Sequence, residues 1–253
     1  MRRLEIIPLN GLPLFEAGDD IAGEIETALA KAGLELETHD VVVVAQKIVS
    51  KVEGRQKPLS DFVPDARAID IAHLVKKDER FVQAVLEESS SVLRAVPHVL
   101  ITEHRLGHVM ANAGIDQSNI SGDDEEEILL LPLAPDTSAA TLRDRLQAHS
   151  GVRVGVVISD SFGRPWRIGT TGIALGTAGP AAVVDRRGDK DLFGRTLVAT
   201  EIALADMIAS AAVLVMGETN EGCPVAILRG LDWDDSGQTS AQGLRDASMD
   251  LFR

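Results

Sequence analysis

Three stretches of this chain place a carboxylate where an apolar run gives way to a turn. They are Asn112-Ala113-Gly114-Ile115-Asp116-Gln117-Ser118-Asn119, Val156-Val157-Ile158-Ser159-Asp160-Ser161-Phe162-Gly163 and Leu214-Val215-Met216-Gly217-Glu218-Thr219-Asn220-Glu221-Gly222. Acids so placed suit Mg²⁺ or Mn²⁺, hard cations that take oxygen ligands and bridge carboxylates to substrate phosphates. Each taken alone reads equally as a turn: Asp116 and Asp160 as caps, Glu218 as an exposed acid. Beside them, residues 160–195 hold Arg164, Arg167, Arg186, Arg187, Lys190 and Arg195 against four aspartates, a local charge of +2 in a chain of −14. Arginine forks match phosphate and carboxylate oxygens, and the glycines of this segment let backbone N–H groups approach an anion. A charged surface loop with internal ion pairs accounts for Arg186, Arg187 and Asp189 as well. Gln46, Lys47 and Lys51 follow the run Val41–Val44, where lysines can reach phosphates as point charges or simply line a solvated loop.

Familiar alternatives are missing. The chain has no Gly-x-x-x-x-Gly-Lys-Ser/Thr loop, no Gly-x-Gly-x-x-Gly fingerprint, no Gly-x-Ser-x-Gly elbow and no His-Glu-x-x-His pair. His98, His104 and His108 lie near a hairpin, and His39, His73 and His149 stand at element ends. Cys223 precedes Pro224 with no activating partner nearby in sequence. Ile202, Leu204, Ile208 and Ala211 read as core packing.

The elements that position these groups follow from apolar spacing. Leu4–Leu9 reads as a strand. A helix opens at Asp19-Asp20, runs through Ile21, Ile25, Ala28 and Leu29, and stops at Gly33. Val41–Val44 reads as a buried strand. Helices follow from Pro64-Asp65 through Leu74 and from about Asp78 through Leu86. His98–Glu103 and His108–Asn112 read as strands around a turn, and Asp123–Glu127 as a solvated acidic loop. Thr137–Ala148 reads as a helix capped by Asp136 and stopped by Gly151. Val152–Ser159 is a strand, Gly163–Gly194 a stretch with few helix signals, Thr196–Ala212 a long helix, and Pro224–Leu228 the last strand. The irregular alternation and short strand connections predict an α+β fold with antiparallel pairing.

Composition excludes several functions. With 25 Lys+Arg against 39 Asp+Glu, the net charge is −14, which disfavours general binding to nucleic acid or anionic membranes. No apolar stretch reaches the length of a membrane span, and Glu5, Pro8 and Asn10 interrupt any signal-peptide core after Arg2-Arg3. The lone Cys223 allows no internal disulfide and fits a cytoplasmic setting. With no Tyr, 2 Trp and 6 Phe, the core must be aliphatic, and aromatic stacking platforms for sugars or single strands are disfavoured.

From Gly11-Leu12-Pro13-Leu14 to Arg229-Gly230 the chain resembles the coenzyme F420:L-glutamate ligase family, the F420-0 gamma-glutamyl ligases. The resemblance is carried by Val49-Ser50-Lys51-Val52-Glu53-Gly54, Phe81–Ser89, Asn112–Asn119, Asp160–Arg167 and Met216-Gly217-Glu218. It implies an α+β homodimer with mixed, largely antiparallel sheets, two lobes and a nucleotide site unrelated to the P-loop. It implies one ligase unit over 1–253, without the flavin reductase-like domain that some relatives carry C-terminally. The implied activity is GTP-dependent addition of L-glutamate to coenzyme F420-0, assisted by Mg²⁺ or Mn²⁺ and by K⁺.

The resemblance also implies site residues. Metal ligands fall on Asp116, Asp160, Ser161 and Glu218; many relatives have Thr in place of Ser161, which keeps the hydroxyl. GTP contacts fall on Leu12, Pro13, Leu14, Phe15, Gln46, Lys47, Lys51 and Asn119, and on Met216, Gly217, Glu218, Thr219, Asn220, Glu221, Gly222 and Cys223. In such a reaction Lys51, Arg164 and Arg167 would stabilise developing charge. A ligase or kinase acting on another carboxylate, and a non-catalytic GTP-binding regulator, are the competing readings.

Overall fold

A computed structural model describes residues 3–118 and 126–250. In chain order the first elements are β1 (Glu5–Pro8), α1 (Ile21–Ala32), β2 (Val41–Ala45), α2 (Gln46–Val52), β3 (Gln56–Pro58), α3 (Ala66–Val75) and α4 (Glu79–Glu87). Then come β4 (Ser89–Val96), β5 (Val99–His104), β6 (Val109–Ala111), β7 (Glu127–Leu129), α5 (Pro135–Ser150), β8 (Gly155–Gly163) and β9 (Thr170–Ala178). The last are β10 (Val184–Asp185), β11 (Glu201–Ile202), α6 (Leu204–Met216) and β12 (Val225–Arg229).

The main sheet has the order β1-β12-β2-β8-β9, antiparallel except for the parallel pair β2–β8. Helices cover both of its faces, which explains the unbroken valines of β2. Val42 and Val44 join the core built with Ile25 of α1 and Leu142 and Leu146 of α5. Val41 and Val43 point the other way, into a core with Ile208, Ala209 and Ala212 of α6. Two glycines of β9 set those helix distances: a Cβ on Gly172 would lie 2.6 Å from the Ala209 backbone, and one on Gly176 would lie 2.4 Å from that of Pro135. A separate apolar cluster, with Phe62, Val75, Phe81, Val85, Leu100 and Ile128, packs α3 and α4 against residues of β5 and β7. There β4-β5-β6 form one sheet and β3-β7 another. The fold is α+β with mostly antiparallel sheets, as the sequence predicts.

Several boundaries differ from expectation. Residues 46–52 form a helix rather than a solvated loop. Lys47 and Lys51, four apart, then share a face, while Gln46, Ile48, Val49 and Ser50 are buried. β4 and β9 were unmarked by sequence, because serines begin one and glycines punctuate the other. The strand expected over His108–Asn112 ends at Ala111, where Asn112, Ala113 and Gly114 take left-handed backbone at φ 52°, 53° and 69°. The long helix starts at Leu204, not Thr196; residues 196–202 instead form the return arm of a hairpin, with Arg186 N–H donating to the Thr200 carbonyl. Asp136 does not cap its own helix, since α5 starts with Pro135 at its first turn. Its carboxylate instead accepts from Thr177 N (2.9 Å), Ser240 N (2.8 Å) and Ser240 Oγ (2.9 Å), tying the C-terminal segment to β9. Of the acidic run, residues 123–125 lie outside the described residues. Glu126 pairs with Arg80 at 2.5 Å and Glu127 opens β7, so this end of the run is more than a solvated loop.

Candidate active site

Strand direction collects most of the expected segments at one end of the main sheet. Because β12 runs antiparallel to β1 and β2, and β8 runs parallel to β2, the ends of β1 and β2 and the start of β12 face the same way. Leu9 N–H donates to the Val225 carbonyl at 2.9 Å, and Ala45 N–H to that of Pro224 at 2.8 Å, so the loops after β1 and before β12 flank the start of α2. Ala45 is in register with Ser159, which puts Asp160 and Ser161 beside the first turn of α2. Open sheets with parallel strands commonly carry ligands beyond this strand end.

Asp116 comes from elsewhere in the chain. The left-handed turn 112–114 redirects the backbone, and Asp116 then exchanges two main-chain hydrogen bonds with Leu129 of β7 (3.0 and 2.9 Å). β7 pairs with β3, which follows α2 by a few residues. The result is an ion pair of Lys47 Nζ with Asp116 Oδ2 at 2.5 Å. The other carboxylate oxygen, Oδ1, accepts from Ser118 N (2.6 Å) and Ser118 Oγ (2.7 Å), and Lys47 Nζ also donates to Ser118 Oγ at 3.1 Å. Burial pushes the Asp116 pKa up, but hydrogen bonds from Lys47 and Ser118 outweigh it and hold the carboxyl below the usual range. Ser118 was not singled out by sequence; its spacing of two from Asp116 is the signature of an Asx turn.

Asp160 behaves in the opposite way. Burial, together with the negative charges of Asp116 and Glu218, pushes its pKa up to about 7, against a lowering pull from Ser161 N–H and Lys47. The three carboxylates therefore feel one another, although they arise from distant parts of the sequence. Ser161 Oγ donates to Glu218 Oε2 at 2.5 Å, joining β8 to the loop after α6. Among the described residues, no three His, Cys, Asp or Glu side chains form a ready cage for an ion. Mg²⁺ needs no such cage, because it keeps several waters and is held by one or two carboxylates plus substrate phosphates. Two aspartates, one glutamate and a hydroxyl, mutually repelling where they are acidic, fit such an ion as donors.

The remaining expected residues are distributed as follows. Lys51 is half-buried on the Lys47 face of α2, and burial plus the Lys47 charge push its pKa down. Gln46 is buried, with its Oε1 accepting from Ser50 Oγ at 2.9 Å. In the loop 11–15, Pro13 and Leu14 are exposed, Leu12 is partly buried and Phe15 belongs to the core. Met216 closes α6 on its buried face. Gly217 turns with φ 75°, and a Cβ there would strike the Glu221 carboxylate. Glu221 in turn accepts from Thr219 N at 2.8 Å, a compact loop that includes Asn220 and Gly222. The Cys223 side chain faces inward, its thiol donating weakly to the carbonyls of Val225 (3.4 Å) and Leu9 (3.8 Å), and burial pushes its pKa up. That suits a structural thiol and not a nucleophile. Arg164 and Arg167 are exposed in the connection between β8 and β9, beside Trp166, and the structure does not bring them onto the carboxylates. Asn119 lies outside the described residues.

The fold and this sheet end define a class: an α+β protein whose carboxylates and lysines meet at one end of a mostly antiparallel sheet. The family model described as F420-0:Gamma-glutamyl ligase matches residues 11–230, and the chain belongs to that family. The coenzyme F420:L-glutamate ligase of Methanothermobacter thermautotrophicus is 42% identical over 255 residues, covering 99% of both chains. That of Methanocaldococcus jannaschii is 40% identical, covering 100% of this chain and 98% of its own. That of Archaeoglobus fulgidus is 45% identical over 230 residues, covering 91% of this chain and 89% of its own.

Proposed function

We propose that this chain is a GTP-dependent ligase that joins L-glutamate to coenzyme F420-0 and then adds further glutamates in γ linkage. The observation that carries the reading is the convergence of Asp160, Ser161, Glu218 and the α2 lysines at one sheet end, with Asp116 ion-paired to Lys47. Near-full-length similarity to proteins of that name supports it. Amide formation from a free carboxylate needs a better leaving group than oxide. The terminal carboxylate of the acceptor attacks the γ-phosphate of GTP, giving an acyl phosphate and GDP. The glutamate amine then attacks the acyl carbon, releasing phosphate and a proton. Divalent cations held by Asp116, Asp160, Ser161 and Glu218 would supply charge neutralisation of the triphosphate and alignment of its oxygens.

The chain's own groups account for the rest. Lys47 and Lys51 lie on one face of a helix and present a paired positive field to the phosphates. Arg164 and Arg167, carried on the exposed β8–β9 connection, would stabilise charge on the transferring group. The loops 12–15 and 216–223 flank the nucleotide. A carboxylate near the cations takes the amine proton. K⁺ assists the polyphosphate, and the protein works in the cytoplasm as a homodimer. Exposed Trp166, Ile168, Leu192, Phe193 and Leu214 support self-association, because apolar side chains this bare favour a covered surface. Among the described residues no helix is long and apolar enough to cross a membrane.

The test is mass spectrometry of coenzyme F420-0 incubated with the protein, GTP, L-glutamate and Mn²⁺. A ladder of added glutamates is expected. GDP formation only with another carboxylate acceptor would transfer the protein to a different substrate, and GTP binding without GDP release would make it a regulator.

A further inference from the structure

Lys47 sits where a cation ligand of Asp116 would be expected to sit. Its ammonium is 2.5 Å from Asp116 Oδ2 and 3.1 Å from Ser118 Oγ, while Ser118 occupies Oδ1 through both its N–H and its hydroxyl. Asp116 thus has one oxygen locked by a turn and the other neutralised by a lysine. Both side chains are about three-quarters shielded, at 30% and 26% exposure, so the pair is neither fully screened nor sealed. Lys47 also has reach: its ammonium lies on a four-carbon stem in the first turn of a seven-residue helix, next to the strand end that the phosphates would face.

We infer that Lys47 is a tethered counter-ion that holds Asp116 in readiness and is displaced by the divalent cation, freeing its ammonium for the nucleotide phosphates. This deepens the reading of Asp116 as a cation ligand and rests on it. The consequence is a coupling. Lys47 opposes cation binding before nucleotide arrives and favours it afterwards, because the displaced ammonium then gains the triphosphate as a partner. Ordered assembly follows: a cation alone binds weakly, and a cation escorted by GTP binds well. Lys47 is therefore a positioning residue for the acid as well as a contact for the phosphate.

Removing the positive charge should move two affinities in opposite directions. In the full-length protein, Lys47→Met is expected to tighten Mn²⁺ binding without nucleotide about fivefold, the size set by losing a partly exposed competing ion pair. The same variant is expected to weaken GTP binding in EDTA by a similar factor. Lys47→Arg, which keeps the cation, is expected to leave Mn²⁺ affinity near the wild-type value. Both affinities are measured by calorimetric titration, with circular dichroism confirming the fold; Lys47→Gln serves if the methionine variant does not fold. A role limited to supporting the fold would weaken both affinities, and that result overturns the inference, as does an unchanged Mn²⁺ affinity in a folded variant. Asp116→Asn separates the two levels. If it binds Mn²⁺ as wild type does, the assignment of Asp116 as a ligand fails and the inference fails with it. If it loses Mn²⁺ while Lys47→Met gains none, only the counter-ion inference fails.

Discussion

Asp160→Asn should make the protein more stable and less active at once. In the absence of divalent ions the Asp160 carboxyl is raised from 3.8 to about 7 by burial and by its acidic neighbours. At 1.36 kcal/mol per pKa unit the full shift corresponds to about 4 kcal/mol carried by the folded state. Asp160 is half-buried, so solvent screening reduces the gain expected on neutralising it to about 2 kcal/mol. The sign follows from proton binding. The folded state holds this proton more tightly than the unfolded chain, so stability is highest below about pH 4 and falls as pH rises through about 7. Asparagine keeps an oxygen for Ser161 N–H and carries no charge at any pH.

The assay is thermal unfolding in EDTA at pH 5 and pH 8. The variant should melt higher at pH 8 by about 4–8 °C, the shift expected for 2 kcal/mol in a chain of this size, and the difference should shrink at pH 5. Adding Mn²⁺ should raise the wild-type midpoint and leave the variant nearly unmoved. Formation of the glutamate ladder should fall at least about a hundredfold, since even outer partners of metal ligands cost 10–100-fold. A variant no more stable than wild type at pH 8, or one with near-normal turnover, would refute the electrostatic reasoning and remove Asp160 from the metal site.

Other perturbations test the supports of the site. For Glu88, burial pushes the pKa up, but hydrogen bonds from His104 and Arg55 and the charges of Arg55 and Arg105 bring it down to about 2, so its contribution is full above 4.5 and lost as pH falls through about 2. Glu88→Gln should therefore cost about 3 kcal/mol in urea unfolding at pH 7, by leaving the Arg55 guanidinium buried beside it with its charge uncompensated, and should flatten the wild-type acid limb. Gly176→Ala places a Cβ 2.4 Å from the Pro135 carbonyl carbon and oxygen, so α5 must shift; a loss of about 2–3 kcal/mol is expected by the same measurement. Asp136→Ala removes the anchor of Ser240 and should cost about 2–3 kcal/mol and expose residues 236–244 to limited proteolysis.

What the sequence made legible is what short-range physics controls. α1 begins at Ile21 with Asp20 accepting from Gly23 N, and ends at Gly33 in left-handed backbone, as a carboxylate cap and a glycine stop require. The four valines of β2 announced a strand buried on both faces, and both cores confirm it. Where two periodicities were available, the choice went astray. Residues 196–202 carry enough apolar side chains for a helix, yet Thr200 and Ile202 are β-branched and their partners lie across a hairpin. Lys47 and Lys51 had helical spacing, but a seven-residue helix is too short to mark itself without the packing of Ile48 and Val49 beneath it.

The site itself divides along the same line. The residue types were readable because chemistry restricts them, and the acids stood out at the ends of apolar runs. Their meeting was not readable, because it depends on strand order. Only the antiparallel placement of β12 between β1 and β2 turns the loop before β12 toward the loop after β2, and only the parallel pair β2–β8 puts Asp160 there too. Had β8 run antiparallel to β2, Ser161 and Glu218 would lie at opposite ends of the sheet and their 2.5 Å hydrogen bond could not form. Asp116 needs a further step, a left-handed turn through Asn112, Ala113 and Gly114; asparagine and glycine tolerate that backbone, but alanine does not favour it. Backbone of that kind costs about 1–3 kcal/mol per residue and persists where surrounding contacts over-determine it. Here the contacts are the Leu129 bridge and the Lys47 ion pair, so the strain and the position of the carboxylate have one cause.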